Sequence, residues 1–155
     1  MSYGDFSDTY YDFLPDSDKY VVLELPIGEW NEAYARMAVS VFASCLSPSF
    51  DELDNIKAAV EEALTNCNIH AYPDGDGIIK LTSLIKDNDL HIVVEDFGVG
   101  IEDIDEAMQP LYTSRPDLKR SGMGFSFMQA YMDSVTVESA PDAGTLVYMR
   151  KTVTG

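Results

Sequence analysis

The chain has 155 residues, 46% hydrophobic and 24% charged, which is enough to bury one core and too little for a second domain of any size. Ten basic residues against 27 acidic ones give a net charge of -17, a field that repels nucleic acid and anionic membrane and excludes both as direct partners. With no signal peptide, no lipidation motif and no apolar run long enough to cross a bilayer, the sequence predicts a cytoplasmic protein.

Residues 1–18 carry Asp5, Asp8, Asp12, Asp16 and Asp18 and no Lys or Arg, interleaved with Tyr3, Phe6, Tyr10, Tyr11 and Phe13. Such a segment has little to pack with itself, so it is expected to be an acidic, disordered tail whose aromatics can dock on a partner or on the domain of residues 19–155. Tyr20 to Leu25 reads as a first strand ending at Pro26. Trp30, Tyr34, Met37, Ala38, Val41, Phe42 and Cys45 then recur at helical spacing and predict the buried face of a first helix. On that reading Arg36 lies roughly 160° from the centre of the face and points into solvent beside Ala33, Ser40 and Ala43.

The helix stops at Leu46-Ser47-Pro48, and Ser49 with Glu52 forms a capping box that starts a longer one. Leu53, Ile56, Val60, Ala63, Leu64 and Cys67 form its core stripe. Glu62 and Asn66, four residues apart, stack a carboxylate and a carboxamide along one side, next to the stripe. Such a pair can bind a magnesium ion and activate a hydroxyl, although the same spacing is common on solvated surface. Cys45 and Cys67 have no metal-ligand spacing and read as reduced packing thiols.

Tyr72 to Gly77 is turn chemistry. Ile78 to Lys86, the turn Asp87-Asn88-Asp89 and Leu90 to Glu95 form a hairpin whose second strand delivers Asp96 and the run Asp96-Phe97-Gly98-Val99-Gly100. A short helix is expected over Ile101 to Met108, then a polar, proline-interrupted segment, Gln109 to Ser121, of the length of an active-site lid. Arg115, Lys119 and Arg120 cluster there, a grouping that favours phosphate contact in a chain so poor in cations. Gly122-Met123-Gly124 opens a helix to Met132 whose N-terminal amides can face phosphate. Val135 to Glu138 and Thr145 to Lys151 close as strands, giving one sheet with helices on one face.

Asp-x-Gly-x-Gly at 96–100 and Gly-x-Gly at 122–124, in this order behind the Glu62–Asn66 helix, resemble the nucleotide site of the GHKL ATPases and kinases. Leu111-Tyr112-Thr113-Ser114-Arg115-Pro116, leading through Arg120 into Ser121-Gly122-Met123-Gly124-Phe125, is similar to the bacterial anti-sigma serine kinases of sporulation. The resemblance spans about residues 20 to 150. It implies an α+β GHKL (Bergerat) ATP-binding fold, a two-layer α/β sandwich with a mostly antiparallel sheet covered by helices on one face. It further implies ATP or ADP and Mg2+ as cofactors, with Asn66 as the metal ligand and Glu62 as the general base. Asp96 would accept from the adenine amine, with Thr145 completing the adenine pocket. Gly98 and Gly100 would pass close to the base, Gly122 and Gly124 would reach the phosphates, and Thr113, Arg115 and Arg120 would close over them. Arg36, in Tyr34-Ala35-Arg36, matches the family's arginine that contacts both protein partners.

By the same resemblance, the function is dual. The protein would hold an RNA polymerase sigma factor of the sporulation (sigma-F) type inactive, and would use ATP to phosphorylate a serine of an anti-anti-sigma (STAS) protein, working as a homodimer. Two alternatives stand beside this: a general-stress anti-sigma kinase with the same chemistry, and a nucleotide-gated sigma-binding module without kinase activity, against which the retained Glu62 counts. Ala71 stands where the family often has glycine, and Cys67-Asn68 replaces a more apolar pair; neither departure is expected to touch a role.

Overall fold

The hairpin read from the sequence forms the middle of the molecule. In a computed structural model that describes residues 13–103 and 124–155, the elements in order are β1 (Tyr20–Pro26), α1 (Trp30–Ala43), a 3-10 turn (Ser44–Leu46), α2 (Phe50–Asn66) and a π-helical turn (Cys67–Ala71). After these come β2 (Ile78–Lys86), β3 (Asp89–Asp96), α3 (Gly124–Tyr131), β4 (Ser134–Ser139) and β5 (Thr145–Thr152). The five strands form one sheet in the order β1-β2-β3-β5-β4, every neighbouring pair antiparallel. Inserting β5 between β3 and β4 sets the end of β3 against the start of β5, with Asp96 opposite Thr145.

Alternation along the strands sends Leu25, Ile79, Leu81, Ile92, Val94 and Met149 to one face, where they bury against Ile56, Val60 and Leu64 of α2 and Met128 of α3. The stripe expected on α2 is borne out: Ile56, Val60, Ala63, Leu64 and Cys67 are buried and Leu53 packs against them. The short helix expected from Ile101 is not seen at its start, since residues 101–103 are not helical; its remainder, and the lid segment, lie outside the described residues.

The face expected to be buried on α1 is overturned except at Phe42, which packs against the core. Trp30, Tyr34, Met37 and Val41 are more than half exposed and Cys45 is exposed, whereas Asn31, Ala35, Val39, Ser40 and Ala43 are buried. The helix packs on α2 through its small residues because two backbones can approach closely only where side chains are short. Hydrophobicity alone ranks Trp and Met as more interior than Ala and Ser, so the periodic signal selected the opposite side. Arg36 accordingly lies roughly 60° from the centre of the buried stripe, on the flank towards α2, and not on the far side. The leader is also anchored at its end: Leu14 packs on Val93 and Leu146, and Ser17 Oγ donates to the Ile85 carbonyl at 2.5 Å.

The capping box at the start of α2 forms as read, with Glu52 N–H on Ser49 Oγ at 3.1 Å and Ser49 N–H on Glu52 Oε1 at 2.9 Å. Glu52 also accepts from the backbone N–H groups of Thr154 at 2.8 Å and Gly155 at 2.9 Å, so one carboxylate ties the chain's last residues to this helix. These donors, the Thr154 N–H foremost, hold its pKa at about 2 against an ordinary 4.5. A depressed carboxylate contributes stability that is present above the unfolded value and lost as pH falls through the folded one, here between 4.5 and about 2. Glu52→Ala is expected to destabilise the fold by about 1–2 kcal/mol at neutral pH, the size of a lost cap. Thermal unfolding at pH 7 and below pH 3 checks this: the wild-type advantage should shrink at the lower pH, and equal midpoints at neutral pH would remove the clamp.

Candidate active site

The site is built where three backbone segments converge on one carboxylate. Asp96, the last residue of β3, is 6% exposed, and its Oδ1 accepts from the N–H of Gly98 at 3.1 Å and of Thr145 at 3.2 Å. Burial raises its pKa above the usual carboxylate range, and the two backbone donors and a thiol oppose that rise. The thiol is Cys67, which donates from Sγ to Asp96 Oδ2 at 3.5 Å; its own pKa is pushed well up by burial and then by the Asp96 charge. This corrects the expectation that the Cys67 departure touches no role. With two firm donors on Oδ1 and only a weak one on Oδ2, the carboxylate keeps acceptor capacity on Oδ2.

Glycines set how closely the segments approach. A Cβ on Gly98 would overlap the Ala71 carbonyl, which also accepts from the Val99 N–H at 2.9 Å. Gly100, at φ +75°, lies against the Ala140 carbonyl in a conformation that L side chains rarely adopt. The two glycines therefore weld the loop after β3 to the π-helical turn on one side and to the β4–β5 turn on the other. Thr145 contributes its backbone N–H to Asp96, while its hydroxyl meets Ser139 Oγ at 2.9 Å. Ser139 also accepts from the Ile101 N–H at 2.7 Å and donates to the Gly144 carbonyl at 2.7 Å, which fixes both loops.

Glu62 and Asn66 lie along one side of α2, half-buried, with Asn66 directly before Cys67. Asn66 makes no side-chain hydrogen bond to another described residue. The helix does not end there. It runs on into a π-helical turn, a feature frequent at functional sites, which carries the chain to Ala71 and the contact with Gly98.

Residues that sequence reasoning passed over hold this helix end in place. Asn31 is fully buried and exchanges hydrogen bonds with Asn68, at 3.1 Å and 2.8 Å. Glu32 accepts from Thr65 Oγ1 at 2.6 Å and from Asn68 Nδ2 at 2.9 Å. The only available signal was polar residues standing inside an apolar period. Arg36 is brought to this region too, its guanidinium 3.2 Å from Glu61 with both side chains partly exposed, so it is paired with the neighbour of Glu62 and does not stand free in solvent. α3 starts on Gly124 as expected, whereas Thr113, Arg115, Arg120 and Gly122 lie outside the described residues.

This geometry is that of a nucleotide-binding domain, and similarity to known proteins narrows it. Residues 30–151 match the family described as Histidine kinase-like ATPase domain. The chain is 49% identical over 134 residues to an anti-sigma F factor of Clostridium kluyveri, covering 86% of this chain and 94% of that one. It is 50% identical over 121 residues to an anti-sigma F factor of Clostridium acetobutylicum, covering 78% and 85%. Among solved structures it is similar in fold to the mycobacterial sensor histidine kinase MprB, with a TM-score of 0.55 and 16% identity over 84% of this chain and 98% of that one. The chain belongs to the histidine kinase-like (GHKL-type) ATPase domains and, within them, to the anti-sigma F factor family.

Proposed function

We propose that this protein is an ATP-dependent serine kinase and anti-sigma factor acting in the cytoplasm. It would hold a sporulation-type sigma factor while nucleotide is bound and phosphorylate a serine of a STAS-type anti-anti-sigma protein. The observation that carries the reading is the joining of two half-sites: Glu62 and Asn66 on α2 lead, through Cys67, directly onto the buried Asp96 carboxylate. Asp96, with acceptor capacity left on Oδ2, fits the exocyclic amine of adenine and disfavours a base that presents an acceptor there. The Asn66 carboxamide oxygen fits Mg2+, which takes oxygen ligands and keeps several waters, so one protein ligand beside phosphate is sufficient. ATP supplies the transferable phosphoryl group. Glu62, one turn before Asn66, would take the proton of the acceptor serine hydroxyl, while Thr113, Arg115, Arg120, Gly122 and Gly124 belong to the phosphate side of the same proposal.

Partner binding is proposed for the outer surface of α1, where Trp30, Tyr34, Met37 and Val41 form an exposed apolar stripe and Arg36 lies on its flank against Glu61. The homodimer is proposed for the β1 edge, whose outer backbone groups are unpaired among the described strands and whose Tyr20, Val21 and Val22 are exposed. Sedimentation reads this, and a monomer at assay concentration would remove it. The decisive experiment incubates the protein with labelled ATP and the STAS protein of the same genome. Labelled phosphoserine is the expected product, and its absence from a mixture that still binds sigma factor with nucleotide would leave a binding module in place of a kinase. An Arg36→Ala arm should lose both protein partners in pull-downs while keeping ATP affinity; wild-type retention of both would remove Arg36 from the interface.

A further inference from the structure

The first turn of α1 has no capping side chain of its own. Glu29, the residue before it, makes no side-chain capping bond, and the N–H groups of Asn31 and Glu32 reach only the Gly28 carbonyl at 3.1 Å and the Glu29 carbonyl at 3.2 Å. A helix start held only by such local bonds frays. What fixes this one is Asn68, on the π-helical turn after α2 and 40 residues beyond Gly28.

Asn68 spends its whole carboxamide on the start of α1. Its Oδ1 accepts from the Gly28 N–H at 3.2 Å and from Asn31 Nδ2 at 3.1 Å, and its Nδ2 donates to Asn31 Oδ1 at 2.8 Å and to Glu32 Oε2 at 2.9 Å. A carboxamide has two donors and two acceptor lone pairs, so none is left over. Asn31 Nδ2 also donates to the Pro26 carbonyl at 2.9 Å, and Glu32 Oε1 accepts from Thr65 Oγ1 at 2.6 Å, which extends the grip to the end of β1 and the last turn of α2.

The same π-helical turn meets the Asp96 loop on its other side. Cys67, directly before Asn68, donates to Asp96 Oδ2 at 3.5 Å, and the Ala71 carbonyl accepts from the Val99 N–H at 2.9 Å. π-helical turns are rare and short, so the register of this one depends on what holds it: α1 on one side, the loop after β3 on the other. The exposed stripe of α1 begins on the gripped turn. The Trp30 ring lies against Gly28, 2.7 Å from where a Cβ would stand, and meets Tyr34 edge-on with ring centroids 6.5 Å apart.

We propose that Asn68 is a positioning residue that couples the nucleotide site to the outer face of α1. A ligand that orders the loop after Asp96 and the π-helical turn also orders the first turn of α1, and with it Trp30 and Tyr34. This coupling rests on the proposed nucleotide site at Asp96 and Asn66, and it runs both ways: a partner docked on Trp30 and Tyr34 changes nucleotide affinity by the factor by which nucleotide changes the partner's.

Hydrogen exchange of the full chain, read by mass spectrometry with and without ATP and magnesium, tests the coupling in the unsubstituted protein and in Asn68→Leu. In the unsubstituted protein ATP should slow exchange over residues 96–100 and, on the order of fivefold, over residues 30–36. At saturating ATP the variant should keep the slowing at 96–100 and lose it at 30–36. No slowing at 96–100 in the unsubstituted protein removes the nucleotide site and the coupling with it. Slowing there with 30–36 unchanged, or slowing at 30–36 that survives in the variant, overturns the coupling alone. Asn68→Asp keeps the side chain's shape while setting a carboxylate against that of Glu32, so it gives the same comparison with a smaller change in packing and the same expected loss at 30–36. Trp30 is the chain's one tryptophan, and its emission reads the same event: ATP should shift it in the unsubstituted protein and leave it unchanged in Asn68→Leu, and an equal shift in both overturns the proposal.

Discussion

Glu62→Gln is expected to lower phosphoryl transfer to the acceptor serine by a factor of roughly 100 or more, the usual worth of a positioned general base, while nucleotide affinity stays near wild type. The substitution keeps the size and hydrogen-bonding shape of the side chain and removes its basicity. Glu62 lies one turn before Asn66 on a helix whose end is locked by the Asn31, Glu32, Thr65 and Asn68 hydrogen bonds, so loss of the charge should not move the neighbouring Asn66. Asp96, proposed to face the adenine, is on a different element and is held by Gly98 and Thr145. Single-turnover transfer from labelled ATP to the STAS protein measures the first effect and calorimetry the second. Wild-type transfer in the variant would take Glu62 out of the mechanism, and a parallel loss of nucleotide affinity would show that it serves binding.

The elements that could be read from the sequence are those whose signal is local. The β2–β3 hairpin follows from two apolar runs around Asp87-Asn88, with Asp87 at φ 53° in the turn, and the start of α2 follows from Ser49 and Glu52, which satisfy each other's backbone within four residues. The α2 stripe was legible because the residues with the strongest apolar preference are also those that face the sheet. On α1 the two criteria separate. Ala35, Ser40 and Ala43 are buried because α2 must come close, and nothing in α1 itself encodes that demand, so Trp30, Tyr34, Met37 and Val41 took the interior in the reading and the surface in the fold. The same limit hid the Cys67 thiol on Asp96 and the Asn31–Asn68 exchange, which join residues 29 and 37 positions apart. The motif residues Glu62, Asn66, Asp96, Gly98 and Gly100 could be found by pattern; what holds them in place could not.

The largest expected effect on the nucleotide itself comes from Asp96→Asn. The N–H groups of Gly98 and Thr145 require an acceptor at Oδ1, so the new carboxamide keeps its oxygen there and turns its amide donors to the position of Oδ2. Those donors then face the Cys67 thiol and, when ATP is bound, the adenine amine, setting donor against donor in a buried site. The loss should be about 1–3 kcal/mol, or roughly 5- to 150-fold in ATP affinity, and it should not depend on magnesium. Asn66→Ala should instead weaken only the magnesium-dependent part, so calorimetry with and without the metal separates the two groups, and identical losses would show the assignments to be wrong. A pH series adds an independent check. Burial raises the folded Asp96 pKa, so its carboxylate is neutralised, as pH falls, before an ordinary one would be. The proton removes the acceptor, so wild-type ATP affinity should begin to fall above the ordinary carboxylate range. For stability the sign is opposite: a raised acid favours folding below its unfolded value and loses that contribution as pH rises through the folded one. The wild-type protein should therefore lose ligand on mild acidification without a matching loss of stability from this group, whereas Asp96→Asn, which has no proton to gain, should show a flat affinity over the same range. A wild-type affinity as flat as the variant's would mean that Asp96 does not hold the adenine amine.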